Sequence, residues 1–180
     1  MAVQRGNVSV ECEAGDITRQ EGFDALVNAA NAQLRTGGGV AGAIHRAAGP
    51  ELERACRPLA PIRPGHAVIT PGFNLPNAHV IHCLGPVYGR DEPAAELLAD
   101  CYRNALALAE REGLASVASP ALSTGAFGYP MDEAAEVALR TVLDAAPGLS
   151  SVHHVRFVLA DQRALEIHQR TLRRLAQEAD

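Results

Sequence analysis

Two short glycine-bearing stretches have the composition to hold an anion. Gly37-Gly38-Gly39-Val40 follows an apolar segment and opens a helical pattern. Ser123-Thr124-Gly125-Ala126-Phe127-Gly128 again lies between a strand pattern and a helical one. Glycine lets backbone approach a ligand closely and turn its N–H groups inward, and a helix N-terminus adds partial positive charge. A tight turn satisfies either stretch taken singly. Two such loops in one chain point to a diphosphate held mainly by backbone donors. A third feature, Asn28-Ala29-Ala30-Asn31, ends a buried strand pattern just upstream of the glycines. An amide at a strand end can cap loop backbone or hydrogen-bond a sugar hydroxyl.

Gly37-x-Gly39-x-x-Gly42 also fits the dinucleotide fingerprint G-x-G-x-x-G. That fingerprint needs an acidic residue about 20 positions on, at the end of the next strand. The corresponding stretch, Leu59-Ala60-Pro61-Ile62-Arg63, has none. The dinucleotide assignment therefore loses.

Composition narrows the chemistry further. All 16 basic residues are arginine, and the net charge is −5. Without lysine, a Schiff base, a lysine nucleophile and a lysine-tipped P-loop are excluded. The negative balance argues against a broad nucleic-acid surface. Cys12, Cys56, Cys83 and Cys101 show neither metal-ligand spacing nor the density of a disulfide framework, so reduced thiols and no metal are expected. The first residues have no apolar signal core, and no apolar run is long enough to span a membrane. A cytoplasmic, monomeric protein without membrane contact is the expectation.

The elements that must position these loops follow from periodicity. Alternation over 3–12 predicts a strand, and 24–28 a short buried one. Helices are expected over 40–48, ended by Gly49-Pro50, and over 51–57. Strands follow at 66–70 and 79–83, then an amphipathic helix over 93–112 with Leu97, Leu98, Cys101, Leu106 and Leu108 inward. The remainder reads as a strand at 116–119, a loop over 120–130, a helix over 131–145, a strand at 152–159 and a helix over 162–177. Alternating strands and helices over 180 residues predict one α/β domain, 1–180, with ligands at the carboxyl ends of the strands. His82 and Cys83, adjacent on a strand, face opposite sides and cannot pair. His45 is assigned a structural role, and His153-His154 a solvated and a half-buried ring. Arg170, Arg173 and Arg174 form a solvated stripe, and Asp132, Glu133 and Glu136 oppose a helix dipole.

In these motifs the chain resembles a macrodomain of the MacroD-type, O-acetyl-ADP-ribose deacetylase-like branch. The stretches that carry the resemblance occur in family order. They are Gly15-Asp16-Ile17-Thr18, Val27-Asn28-Ala29-Ala30-Asn31, Gly37-Gly38-Gly39-Val40 with Gly42 to Pro50, Val80-Ile81-His82 with Gly85-Pro86, and Ser123-Thr124-Gly125 with Phe127-Gly128-Tyr129-Pro130. The resemblance implies a three-layer α/β/α sandwich around a mixed sheet, with a cleft for ADP-ribose. It implies that Asp16 accepts from the adenine amino group and that Ile17 adds a backbone contact. Gly37, Gly38, Gly39 and Val40, with Ser123, Thr124, Gly125, Ala126 and Phe127, would wrap the diphosphate. Asn31 would bond the distal ribose and Phe127 would pack on it, so these two are the catalytic candidates. Asn28 and Asp161 complete the expected ligand set, and no cofactor is implied.

Two positions depart from the family pattern. MacroD-type enzymes commonly read G-G-G-V-D-G, with the Asp helping the attacking water; here that position is Ala41. After the last strand, an adenine-stacking aromatic followed by Asp is replaced by Ala160-Asp161. The resemblance then implies hydrolysis of ADP-ribose conjugates (mono-ADP-ribosyl esters or O-acetyl-ADP-ribose) by substrate-assisted water attack, slower than in an Asp-bearing relative. The alternative is a non-catalytic module that reads ADP-ribose or ADP-ribosylated protein.

Overall fold

The computed structural model describes residues 1–178. Seven strands form one sheet: β1 (Ala2–Arg5), β2 (Val8–Ala14), β3 (Ala25–Ala29), β4 (Ala67–Pro71), β5 (His79–Cys83), β6 (Ser116–Ser119) and β7 (His154–Leu159). Their order is β1-β2-β7-β6-β3-β5-β4. The five inner strands run parallel, and β1 and β4 lie antiparallel at the edges. The helices are α1 (Gly39–Ala48), α2 (Pro50–Cys56), α3 (Ala94–Arg111), α4 (Met131–Ala145) and α5 (Gln162–Glu178).

Side chains alternate across a strand, so β3, β5, β6 and β7 each feed two cores, while β2 feeds one. Val27, Ile81 and Phe157 pack with Leu98 of α3, Leu139 of α4 and Leu172 of α5 on one face. Leu26, Val80 and Val158 pack with Ile44 of α1 and Leu52 of α2 on the other. The result is the mixed-sheet α/β/α sandwich expected from the sequence.

The expected strand over 3–12 is in fact a hairpin. It breaks at Gly6-Asn7, and Val3 pairs with Val10 across β1 and β2. Gly6 takes φ +56°, the left-handed backbone that opens a two-residue hairpin turn. The buried apolar positions switch from odd (Val3) to even (Val8, Val10, Cys12) across the turn, a change of parity that a single strand cannot have. The α3 stripe also differs. Its buried positions are Ala94, Leu98, Ala99, Cys101, Tyr102, Ala105, Leu106 and Ala109, while Leu97 and Leu108 sit at the margin.

The segments that lead into β6 and β7 are tied by one carboxylate. Glu110, near the end of α3, accepts from the backbone N–H groups of Ser150, Ser151 and Val152 and from the Ser151 hydroxyl, at 2.6–2.8 Å. The Ser151 hydroxyl bond leads these donors in pushing its carboxyl from the usual 4.5 down to about 2. The stabilisation is therefore full above about pH 4.5 and is lost as pH falls through 2. Glu110→Gln is expected to lower the melting temperature by a few degrees at pH 7. The difference from the parent protein narrows between pH 4.5 and 2, and a thermal denaturation series over pH checks it.

Candidate functional site

The carboxyl ends of the parallel strands open into a cleft of about 580 Å³. Its floor and walls come from residues just past each strand: Gly15 after β2, Ala30 and Asn31 after β3, Gly85 after β5, Leu122 after β6 and Ala160 after β7. Both glycine-bearing loops line it, through Gly38, Gly39 and Val40 of the first and Ser123 to Phe127 of the second.

The first loop is a backbone cradle. Gly37 and Gly39 take φ +59° and +58°, with Gly38 between them at −114°. Alternation of this kind turns successive N–H groups toward one point. Among the described residues, the N–H groups of Gly37, Gly38, Gly39 and Val40 donate to no backbone or side-chain acceptor. They sit at the start of α1, where the helix dipole adds to their partial charge. Gly42 has a packing role: a Cβ there would lie 2.8 Å from the Gly37 carbonyl oxygen, so any side chain would displace the cradle. This accounts for the third glycine of the fingerprint-like spacing without a dinucleotide.

The second loop is closed by Tyr129 N–H donating to Ser123 O and Gly128 N–H donating to Gly125 O, at 2.9 and 3.0 Å. The N–H groups of Thr124, Gly125, Ala126 and Phe127 are likewise without a partner among the described residues. Ser123 holds a left-handed φ of +68°, uncommon for a residue with a Cβ and a form of strain that clusters at functional sites. Its hydroxyl, in a residue 8% exposed, has no hydrogen-bond partner. A Cβ at Gly85 would come within 2.1 Å of that hydroxyl oxygen. Gly85 therefore gives Ser123 its place, a role signalled in the sequence only by Gly85-Pro86 following a strand.

Asn31 does both things an amide at a strand end can do. Its Oδ1 accepts from Arg35 N–H at 3.0 Å, and its Nδ2 donates to Arg35 O at 2.9 Å. One N–H and one lone pair remain for a ligand in the cleft it lines. Phe127 forms part of the wall, its carbonyl fixed by Tyr88 N–H at 2.9 Å.

At the other end, Ile17 lines the cleft beside Asp16. Asp16 Oδ1 accepts from the Thr18 hydroxyl and N–H, at 2.7 and 2.9 Å, and these bonds hold its carboxyl below the usual range. The Asp161 carboxylate accepts from Ala164 N–H at 2.8 Å, capping α5. Asp161 is the one ionisable side chain among the lining residues, and no basic side chain is among them. Ala41 and Ala160 both line the cleft, so each departure from the family pattern falls on the site itself.

Three expected ligand residues stand apart from this lining. Asp16 is at the rim, and Gly37 lies just before the lining segment. Asn28 is inside the protein, 1% exposed, on the α1–α2 face of β3. Its Nδ2 donates to His82 Nδ1 at 3.0 Å, which leaves the His82 Nε2–H to donate to Thr70 Oγ1 at 2.9 Å. Burial pushes the His82 pKa down to about 3, so the ring is neutral. Parity explains the placement: Asn28 pairs with His82 across β3 and β5, and both point away from the α3–α5 face. His82 and Cys83 do face opposite sides, although His82 Nε2 lies 3.6 Å from Cys56 Sγ.

His45 is buried in α1, does not line the cleft, and has its pKa lowered by desolvation. It is a neutral ring away from the site. On α5, Arg174 pairs with Glu136 and Glu178, as expected of a solvated face. Among the described residues no His, Cys, Asp or Glu cluster could hold a metal.

Comparison with known proteins agrees with this geometry. The Macro domain family model matches residues 27–138. An O-acetyl-ADP-ribose deacetylase of Klebsiella pneumoniae is 48% identical over 170 residues, covering 92% of this chain and 97% of its own. The Oceanobacillus iheyensis macrodomain with ADP is 40% identical with a TM-score of 0.95, covering 99% of this chain and 97% of that one. The Trypanosoma brucei macrodomain in complex with ADP-ribose is 34% identical with a TM-score of 0.82, covering 89% and 68%. The chain belongs to the macro domain family.

Proposed function

We propose that this macro domain binds ADP-ribose across the cleft and hydrolyses its conjugates, O-acetyl-ADP-ribose and mono-ADP-ribosyl esters of acidic side chains. The observation that carries the reading is the pair of loops, each with a run of unpartnered N–H groups, that line one cleft with no basic side chain. Such a site takes a diphosphate by preorganised backbone dipoles, which explains how an acidic protein without lysine holds an anion. Asp16 and Ile17 then receive the adenine, and Asp161 sits at that end. Asn31 and Phe127 receive the distal ribose. The relatives named as O-acetyl-ADP-ribose deacetylases support the choice of substrate.

With Ala41 in the cleft, no side chain there can act as general base toward the distal ribose. A diphosphate oxygen of the substrate takes that part by holding water. The water oxygen attacks the acetyl carbonyl, the bond to the ribose oxygen breaks, one water proton passes to that oxygen and the other is released to solvent, giving acetate and ADP-ribose. For a protein ester, water attacks the anomeric carbon, the bond from that carbon to the ester oxygen breaks, the side-chain carboxylate leaves, and the proton lost by the water passes through the diphosphate oxygen to solvent. Phe127 walls off bulk solvent, and Asn31 orients the sugar.

Ala41 equally favours a second reading, a module that binds ADP-ribose without turnover. The two are separated by calorimetric titration with ADP-ribose together with product release from O-acetyl-ADP-ribose and from a mono-ADP-ribosylated protein. Binding with release above buffer is expected. Binding without release at high enzyme concentration leaves the reader, and no binding overturns both. The proposal carries with it a monomer acting in the cytoplasm on free and protein-linked conjugates. The buried free thiols Cys12, Cys56, Cys83 and Cys101 accord with a reducing compartment. No described helix is long and apolar enough to cross a membrane.

A further inference from the structure

The glycine cradle has no side chains of its own to anchor it. On the α1 side Gly42 N–H donates to Gly38 O at 3.0 Å, and the other end is held by the segment before it. That segment, 31–36, is fastened at four points, one of them Ile62 N–H donating to Ala32 O at 2.9 Å. The Asn31 amide brackets the Arg35 backbone. Leu34, with φ +55°, is buried in the core beneath α1 and α2. Thr36, the last residue with a side chain before the glycines, donates its N–H and its hydroxyl to a single oxygen, Glu53 Oε1, at 3.0 and 3.2 Å.

Glu53 comes from α2, outside the cleft. The tight joint at Gly49, with φ +93°, folds α2 back on α1 and brings this carboxylate to the loop. Among the described residues Glu53 makes no ion pair and no hydrogen bond except those to Thr36. A negative charge near an anion site is unfavourable by Coulomb's law, so any benefit to binding has to be geometric. We propose that Glu53 is a positioning residue for the diphosphate cradle: by holding Thr36 it sets where Gly37–Gly39 begin. The inference rests on the ligand proposed above.

The competing role for Glu53 is helix stability, since it lies in the acidic first turn of α2. Two substitutions separate the roles. Glu53→Ala removes acceptor and charge; Glu53→Gln removes the charge but keeps an acceptor oxygen for Thr36. A cradle competent about one-tenth of the time raises the apparent Kd about tenfold. For Glu53→Ala the expected results are therefore an ADP-ribose Kd and a KM about tenfold higher with kcat nearly unchanged. Backbone hydrogen exchange at Leu34, Arg35 and Gly42, whose N–H groups are bonded on either side of the cradle, accelerates in the same variant. Glu53→Gln restores both affinity and protection to near the parent values.

Equal affinity in Glu53→Ala and the parent overturns the proposal, as does a Gln variant as weak as the Ala variant. Exchange is read without ligand. Accelerated exchange in Glu53→Ala, in a protein whose parent binds no ADP-ribose, would sustain the clamp and overturn the ligand. Unchanged exchange would overturn the clamp whatever the ligand.

Discussion

Ala41→Asp is expected to raise kcat for O-acetyl-ADP-ribose by about a hundredfold, within the 10²–10⁴ range of a positioned general base. Ala41 is the third residue of α1, buried at 5% exposure and lining the cleft. A carboxylate there would stand in the first turn of the helix, where the dipole favours the ionised form. It would supply the proton acceptor that the cleft now lacks near the distal ribose. KM should change little, because the diphosphate contacts are backbone contacts on either side of the substitution. Steady-state kinetics on parent and variant decide the matter. An unchanged kcat would show that a missing carboxylate does not limit the reaction.

Asn31→Ala is expected to lower kcat/KM by at least a hundredfold and to weaken ADP-ribose binding about tenfold, since a buried charged ligand loses a hydrogen bond and its cradle loses a brace. The side chain has two duties. It holds the Arg35 backbone through both polar atoms, and it offers its remaining N–H to the cleft. Gly37 is close by: a Cβ there would lie 3.0 Å from Asn31 Nδ2, so the amide also abuts the cradle. Asn31→Asp is the informative partner. It keeps the acceptor for Arg35 N–H but loses the donor to Arg35 O and the donor to the sugar. Parallel titration and kinetics on the three proteins measure the effect. Intact binding and turnover in Asn31→Ala would displace the distal ribose from this amide.

Much of this architecture was legible in the sequence because periodicity reports which face is buried. The parallel strands and all five helices follow from it. The hairpin at Gly6-Asn7 escaped because Val3 alone marks the core face of β1, so the switch from odd to even core positions at the turn rests on a single residue. For the site, the loops were legible because glycine and a strand–loop–helix order state a backbone requirement directly. Asn28 and Asn31 look equivalent in Asn-Ala-Ala-Asn, yet one is a core partner of His82 and the other lines the cleft. The difference is set by strand parity and by where β3 ends. Support from a distance was the least legible part. Glu53 acts on a residue 17 positions away, and Gly85 makes room for Ser123 in the loop after another strand, relations that exist only once the chain is folded.

The central claim is that backbone N–H groups from two loops, with no basic side chain, hold the diphosphate of ADP-ribose. A crystal structure of the complex tests it most directly. The account predicts diphosphate oxygens within hydrogen-bond distance of N–H groups of Gly38–Val40 and of Thr124–Phe127, with the distal ribose between Asn31 and Phe127. A diphosphate bound instead by arginine side chains, or a ligand seated outside this cleft, would contradict it.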